Sequence, residues 1–546
     1  MIRAALLLVA AVVAVSPAGC SPRSAAPPPA RTPATITTPA AAPATAASDP
    51  LLGGAMAILE RLDEYTEDEA YRQVSDRLAA WHRQRPAPAG PRLEPLLDAL
   101  PDRLRQSLVA VRNGGEDVRG LRDACWLAGL ARQARERSAG GDQVAVAADL
   151  FRWTVRSLAI VADPPAVPTE ASPGSRWLMP GEILLAGRAS APQRAWVFLE
   201  LLRQAGIDGV MLATGDPAAP RPWLPAAIID GEAYLFDPLY GMPVPGPGGD
   251  GIATARQAAT DPTVLRSMSL ADRPYPLQAA DVGQLVPLAA ADPWSLCGRG
   301  EDMQPALDRL RGPRVAVDAS ALLERARGAI PGSGTAGGLW EFPFETLARR
   351  REDPAWVRAA LQADVAPLSV PSLPSTVAQE MTRPRVVDRD DPDGTRFDTE
   401  ERQQAPRILR PLFAGRIREF RGDMPGAKEA YLAAQPSRQE IAATVAAAPA
   451  EARDGLERML ERMREDAGYW LGVVSLATGD DRPAVDFFQR MTLDEHPQGR
   501  WTDAARVNLA SALTGLDRID EAVAMLRTDE SPQRFGSRLR ASALRP

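Results

Sequence analysis

From residue 49 to about residue 138 apolar side chains recur at helical spacing. Leu51, Met56, Ile58, Leu59 and Leu62 form one stripe, and Tyr71, Val74, Leu78 and Trp81 form the next. Pro86-Ala87-Pro88 and Asn113-Gly114-Gly115 interrupt the pattern. A third stripe, Leu121, Trp126, Leu127, Leu130 and Ala131, runs up to Gly140-Gly141. Leu150, Phe151, Trp153, Thr154, Val155 and Leu158 predict an amphipathic helix within 147–160, and 191–205 predicts a further helix closed by Gly206-Ile207. Pro192 suits its first turn, where a missing N–H costs nothing.

The period then changes. Val210-Met211-Leu212-Ala213 reads as a short buried strand, and residues 226–237 read as a hairpin turning at Asp230-Gly231. Leu307 and Leu310, followed by Val315-Ala316-Val317, predict a helix and then a strand; Trp340 to Phe344 is an aromatic patch expected to anchor an interdomain contact. The class expected is α+β in a mainly helical chain.

The chain has 546 residues and a formal net charge of -7, with 45% hydrophobic and 24% charged residues. That balance fits a folded protein, and nothing in it points to nucleic acid as a partner. The first twenty residues look like a targeting segment: Met1-Ile2-Arg3, an apolar stretch from Ala4 to Val15 too short to span a bilayer, and small residues leading to Cys20. This resembles a bacterial lipoprotein signal, in which Cys20 carries the lipid, although Pro17 stands where an aliphatic residue is usual. The other reading is an ordinary cleaved signal peptide. Residues 21–48, rich in Pro, Ala and Thr, read as an extended spacer. Lipidation implies a location in the cell envelope, anchored on the extracytoplasmic side. There Cys125 and Cys297 could bridge or stay as buried thiols.

Asp391, Asp393, Gly394 and Glu400 approach calcium-loop spacing, but Arg389 stands where the first oxygen ligand belongs. No motif calls for a metal or a cofactor. The only histidines are His82 and His496, and His82 reads as a solvated helix end.

The helix ending Leu201-Leu202-Arg203-Gln204-Ala205-Gly206-Ile207 and the hairpin ending Asp237-Pro238 resemble the transglutaminase-like family, which has a papain-like core. In that family a Cys opens the helix, a His begins the first hairpin strand and an Asp ends the second. The matching positions here are Ala191, Pro222 and Asp237. The resemblance therefore implies a triad without its nucleophile and base, since a thiolate needs a base or cation beside it. Asp237 is then expected to accept bonds from its own loop. Gly187 matches a glycine turn that in the family lets substrate approach. Ser190, one residue before the Cys position, is the nonstandard nucleophile of the alternative reading, a hydrolase or acyl transferase.

Near the C-terminus, Gly415, Ala427 and Tyr431 set spacings of twelve and four that Gly472, Ala484 and Phe488 repeat, and Ala510, Ala522 and Leu526 repeat again. This resembles the tetratricopeptide repeat. The resulting division is 1–20 signal, 21–48 linker, 49–141 helical region, 142–262 transglutaminase-like domain, 263–400 connecting region and 401–540 helical repeats. The function expected is binding: an envelope-anchored scaffold that takes a protein or peptide partner on its repeats.

Overall fold

A computed structural model describes residues 49–85, 94–108, 116–138, 141–162, 177–296, 298–372 and 408–545. Cys20, the 21–48 spacer, Cys297 and the acidic 388–400 stretch lie outside them. The chain is mainly helical around one mixed six-stranded sheet, an α+β arrangement.

The strands are β1 (Ala159–Ile160), β2 (Arg188–Ala189), β3 (Asp208–Thr214), β4 (Arg221–Ile229), β5 (Glu232–Asp237), β6 (Met242–Pro243), β7 (Val286–Ala289) and β8 (Gly338–Leu339). β1 and β2 form a separate parallel pair. The large sheet runs β6-β5-β4-β3-β7-β8, antiparallel except where β8 joins β7. The β4–β5 hairpin turns at Asp230-Gly231, both with positive φ (50° and 77°) as such a two-residue turn requires.

Two strands come from the stretch expected to be a connector, so the sheet-bearing unit extends well past residue 262. Val315-Ala316-Val317 is not one of them. Gln304 Oε1 accepts from the backbone N–H groups of Val315 and Ala316, leaving no ladder for that segment to join. The aromatic patch packs against the 142–262 segment, inside the shared core. Trp340 stacks on Phe342 at 5.3 Å, and Phe342 meets Trp196 edge-on at 6.1 Å inside the core.

The helix Ala191–Ala205 is central and almost wholly buried. It lies on one face of β3 and β4 and is covered by the helices Asp117–Arg137 and Gln143–Ser157. Phe151, Phe198 and Phe236 tie a covering helix, the central helix and β5 together, with ring centroids 4.8–5.1 Å apart. Strand alternation separates two cores. Met211, Ala227, Ile229 and Phe236 face the central helix. Val210, Leu212, Leu224, Ala226, Ala233 and Leu235 face the layer that holds Tyr240, Tyr275 and Ala253.

The C-terminal part consists of helical hairpins. Pro411–Arg421 pairs with Met424–Ala433, Arg453–Ala477 with the turn of helix at Asp481–Asp486 and its π-helical continuation Phe487–Asp494, and Thr502–Gly515 with Ile519–Arg527. The repeated small and bulky positions meet in each seam. A Cβ added to Gly415 would lie 2.2 Å from Tyr431, and one on Gly472 would lie 2.5 Å from Phe488. Ala427, Ala484, Ala510 and Ala522 are fully buried. A last helix, Arg534–Leu544, closes the array.

Candidate functional site

Ser190 caps the central helix; its N–H is held by Gln193 Oε1 at 3.0 Å, and Ala191 is the first helical residue. Ser190 is 1% exposed, and among the described residues its hydroxyl has no partner at hydrogen-bond geometry. Pro222 is exposed at the start of β4, opposite Ala213. Asp237 ends β5 and is buried. Its Oδ1 accepts from Leu239 N (2.9 Å) and Tyr240 N (2.8 Å), and its Oδ2 accepts from Tyr275 Oη (2.9 Å). Tyr275 in turn accepts from Trp223 Nε1 at 3.3 Å. Burial raises the Asp237 carboxyl to about 6 and pushes the Tyr275 phenol well up.

These positions do not form one constellation. Leu235 faces away from the central helix and Phe236 toward it, so alternation turns Asp237 into the layer of Tyr275. No hydrogen bond joins Ser190 or Ala191 to Asp237 among the described residues. Neither histidine supplies a base to Ser190. His82 is not a solvated helix end: its Nε2 lies 3.2 Å from buried Asp117, which also binds Trp294 Nε1 and Arg299. Trp294 and Arg299 flank Cys297 in the chain. His496 stands near Glu465 in the repeats. Cys125 is buried, and desolvation pushes its thiol well above the usual range, opposite to what a nucleophile needs.

What fills the approach to the central helix is the chain itself. Gly187 ends the helix Pro180–Ala186 with φ 63°, and a Cβ there would lie 2.3 Å from the Trp470 ring and 3.3 Å from Trp501. Trp501 stacks on Tyr469 at 4.3 Å and meets Trp470 at 5.1 Å. On the far side, a Cβ on Gly536 of the last helix would run into Tyr240 O at 1.8 Å, and Gly241 abuts Gln533. Thus Tyr240 and Gly241 in the loop after Asp237 are also covered, while Leu239 stays exposed. Where the two parts meet at Arg194, a cavity of about 20 Å³ remains, room for one water.

The docking follows a rule of helix ends. The last carbonyls of a helix lack intrahelical partners and carry partial negative charge. Repeat side chains supply donors to three such ends in the core. Tyr469 Oη (3.4 Å) and Asn508 Nδ2 (3.1 Å) donate to Arg156 O of Gln143–Ser157. Arg416 donates to Leu184 O (2.7 Å) and Arg500 to Ala186 O (3.5 Å) of Pro180–Ala186. Arg462 (3.5 Å) and Arg500 (3.3 Å) donate to Asp364 O of Pro354–Val365. The core returns the contact through Gln133, which donates to Glu419 O and Phe420 O, both at 3.1 Å. Buried Arg194 bridges both parts, donating to Leu158 O, Pro238 O and Gln533 Oε1. Burial lowers its pKa to about 9, with no carboxylate bonded to it among the described residues.

No sequence signal pointed to this interface. Its polar contacts join single side chains to carbonyls from 98 to more than 300 residues away, which no local spacing records. Among the described residues no cluster of His, Cys, Asp or Glu suits a metal, and no helix is long and apolar enough to cross a membrane. Comparison of the chain with protein-family models, with curated proteins and with solved structures finds no match.

Proposed function

We propose that this protein is a noncatalytic binding or scaffold protein of the cell envelope, with a degenerate transglutaminase-like core and tetratricopeptide-like repeats. In this reading Cys20 carries the lipid that holds it on the extracytoplasmic side. The observation that carries the noncatalytic part is Trp470 seated on Gly187, on the side from which a substrate would reach the central helix. The Cys and His positions hold Ala191 and Pro222, and Asp237 is engaged by Tyr275 and its own turn. A protein or peptide partner would meet the outward side of the repeats, since side chains of their first helices are spent on the core. Leu432, 51% exposed on the second helix of the first hairpin, lies on that outward side.

The test is an assay of purified protein for amidase, protease and transglutaminase turnover, before and after thiol alkylation. No turnover is expected in either state. Turnover abolished by Ser190→Ala, or by alkylation, would establish the hydrolase or acyl-transferase reading instead.

A further inference from the structure

We propose that a pocket at the C-terminal end of the central helix binds a phosphate dianion, free or as the terminal group of a monoester, between Arg203 and Arg314. The pocket lies where that helix meets the helix Asp117–Arg137 and the turn at Trp294, and its enclosed part measures about 20 Å³. That is room for one water, or for one oxygen of a larger group whose remainder sits at the mouth.

Arg203 belongs to the last turn of the central helix and lines this pocket. Its Nη2 pairs with Glu200, one turn back. Its Nε and Nη1 are buried and have no acceptor among the described residues. Buried donors of a charged side chain are rarely left unmet, because stripping them of water without a replacement is costly. Burial lowers the guanidinium to about 10, so it still carries its charge at neutral pH.

Arg314 supplies a second cation on a pinned backbone. Gln204, the residue after Arg203, donates from Nε2 to Arg314 O (2.6 Å) and accepts at Oε1 from Arg314 N (2.9 Å). Gln304 Oε1 holds the next two N–H groups. The Arg314 side chain then reaches over Gly206, which ends the helix, with Nη2 3.2 Å from where a Cβ would stand. Arg314 is exposed and lines the same pocket, and no carboxylate pairs with it among the described residues. A cation held this way has less freedom to lose when an anion binds.

The carboxylates along the pocket are already engaged. Asp292 accepts from Arg119 and from Trp294 N, Asp123 accepts from Arg119 and Arg122, and Glu200 pairs with Arg203. Arg203 and Arg314 keep donors to spare. Two guanidinium charges match a dianion, and the planar guanidinium suits phosphate oxygens. A monoanion such as acetate meets only half of that charge.

The experiment is calorimetric titration of the purified full chain with inorganic phosphate at pH 8, where the dianion prevails, with ionic strength held constant by sodium chloride. Saturable one-to-one binding is expected, with acetate at least about tenfold weaker. Glycerol 3-phosphate keeps the dianion and should compete for the same site. Arg314→Gln should weaken phosphate at least about tenfold, as loss of a charged hydrogen bond does, and Arg203→Gln should abolish binding. No saturable binding, acetate binding as tightly as phosphate, or an Arg314→Gln variant that binds like the wild type would each overturn the proposal. A monoester that does not compete would overturn its terminal-group half. Should Arg203→Gln fail to fold, Arg314→Gln, whose side chain is exposed, still decides it.

Discussion

Trp470 lies against the one face of Gly187 that a side chain would occupy, 2.3 Å from where a Cβ would stand. The glycine's αL backbone, φ 63°, also lets the helix Pro180–Ala186 end there. Gly187→Ala should therefore cost the αL strain plus an overpacked contact, together roughly 2–4 kcal/mol. Gly231→Ala is the control, because its φ is 77° with nothing within 4 Å. Denaturant unfolding of both variants should show the larger loss at Gly187. The excess should shrink when Gly187→Ala is combined with Trp470→Ala, since removing the ring removes the clash.

Elements with a clean period are legible in the sequence. The helices around Leu78, Leu150 and Phe198 and the hairpin at Asp230-Gly231 stand where apolar spacing and turn chemistry put them. β7 and β8 were not legible. They are two to four residues long and are recruited by an edge of the sheet, with Pro287 within β7. His82 looked solvated because its partner, Asp117, belongs to another helix. Gly187 looked like a turn made for a ligand. Its role depends on Trp470, nearly three hundred residues on, and no local pattern contains that relationship. The orientation of Asp237 was likewise not legible, because the alternation that turns it toward Tyr275 depends on which face the central helix covers.

Arg156 O gives a second handle on the interface, because Tyr469 Oη and Asn508 Nδ2 both donate to it. Asn508 is 4% exposed and also donates to Tyr469 Oη at 3.2 Å. Asn508→Leu removes both of its bonds and leaves Arg156 O with the longer Tyr469 Oη bond alone, a loss of about 1–3 kcal/mol. Because both parts share these bonds, the variant and the wild type should each unfold in a single transition. Two separated transitions in the wild type would mean that core and repeats are not one cooperative unit.

The seams between hairpin helices predict a sharp positional contrast. Ala484 and Ala522 are fully buried, whereas Ala524, two residues along the same helix, is exposed. Ala484→Leu and Ala522→Leu should each overpack a seam at a cost of about 1–3 kcal/mol, and Ala524→Leu should change stability by less than about 0.5 kcal/mol. Thermal unfolding of the three variants measures this. Equal melting temperatures for Ala522→Leu and Ala524→Leu would remove the seam and the repeat assignment with it.

Anchoring is tested in cells. If Cys20 carries lipid, the protein should incorporate labelled fatty acid and partition into detergent, and Cys20→Ser should abolish both. An unlabelled protein that stays in the aqueous phase would leave the ordinary signal-peptide reading of residues 1–20.

The chain of donors from Trp223 Nε1 through Tyr275 Oη to Asp237 Oδ2 makes the last prediction directional. Burial raises Asp237 to about 6 from an ordinary value of 3.8, while Tyr240 N, Tyr275 Oη and Leu239 N each stabilise the ionised form and hold the rise down. A raised carboxyl favours the folded state when protonated. That contribution is complete below about pH 4 and is lost as pH rises through about 6. Its size should be of order 1–3 kcal/mol. Tyr275→Phe removes one bond to the carboxylate, so the midpoint should move upward in pH. Asp237→Asn cannot titrate, so the share of the pH dependence that Asp237 supplies should be missing from its unfolding free energy between pH 4 and 7, while other buried carboxyls such as Asp466 keep theirs. In addition, the Asn amide can still accept from Leu239 N and Tyr240 N, so the turn should persist and the fold should be kept. Carboxyl carbon shifts of Asp237 in the wild type and in Tyr275→Phe give the two midpoints directly. A midpoint that stays put when the tyrosine hydroxyl is removed would mean that Tyr275 is only a packing neighbour of Asp237, and the account of how this core holds that buried carboxylate would fail.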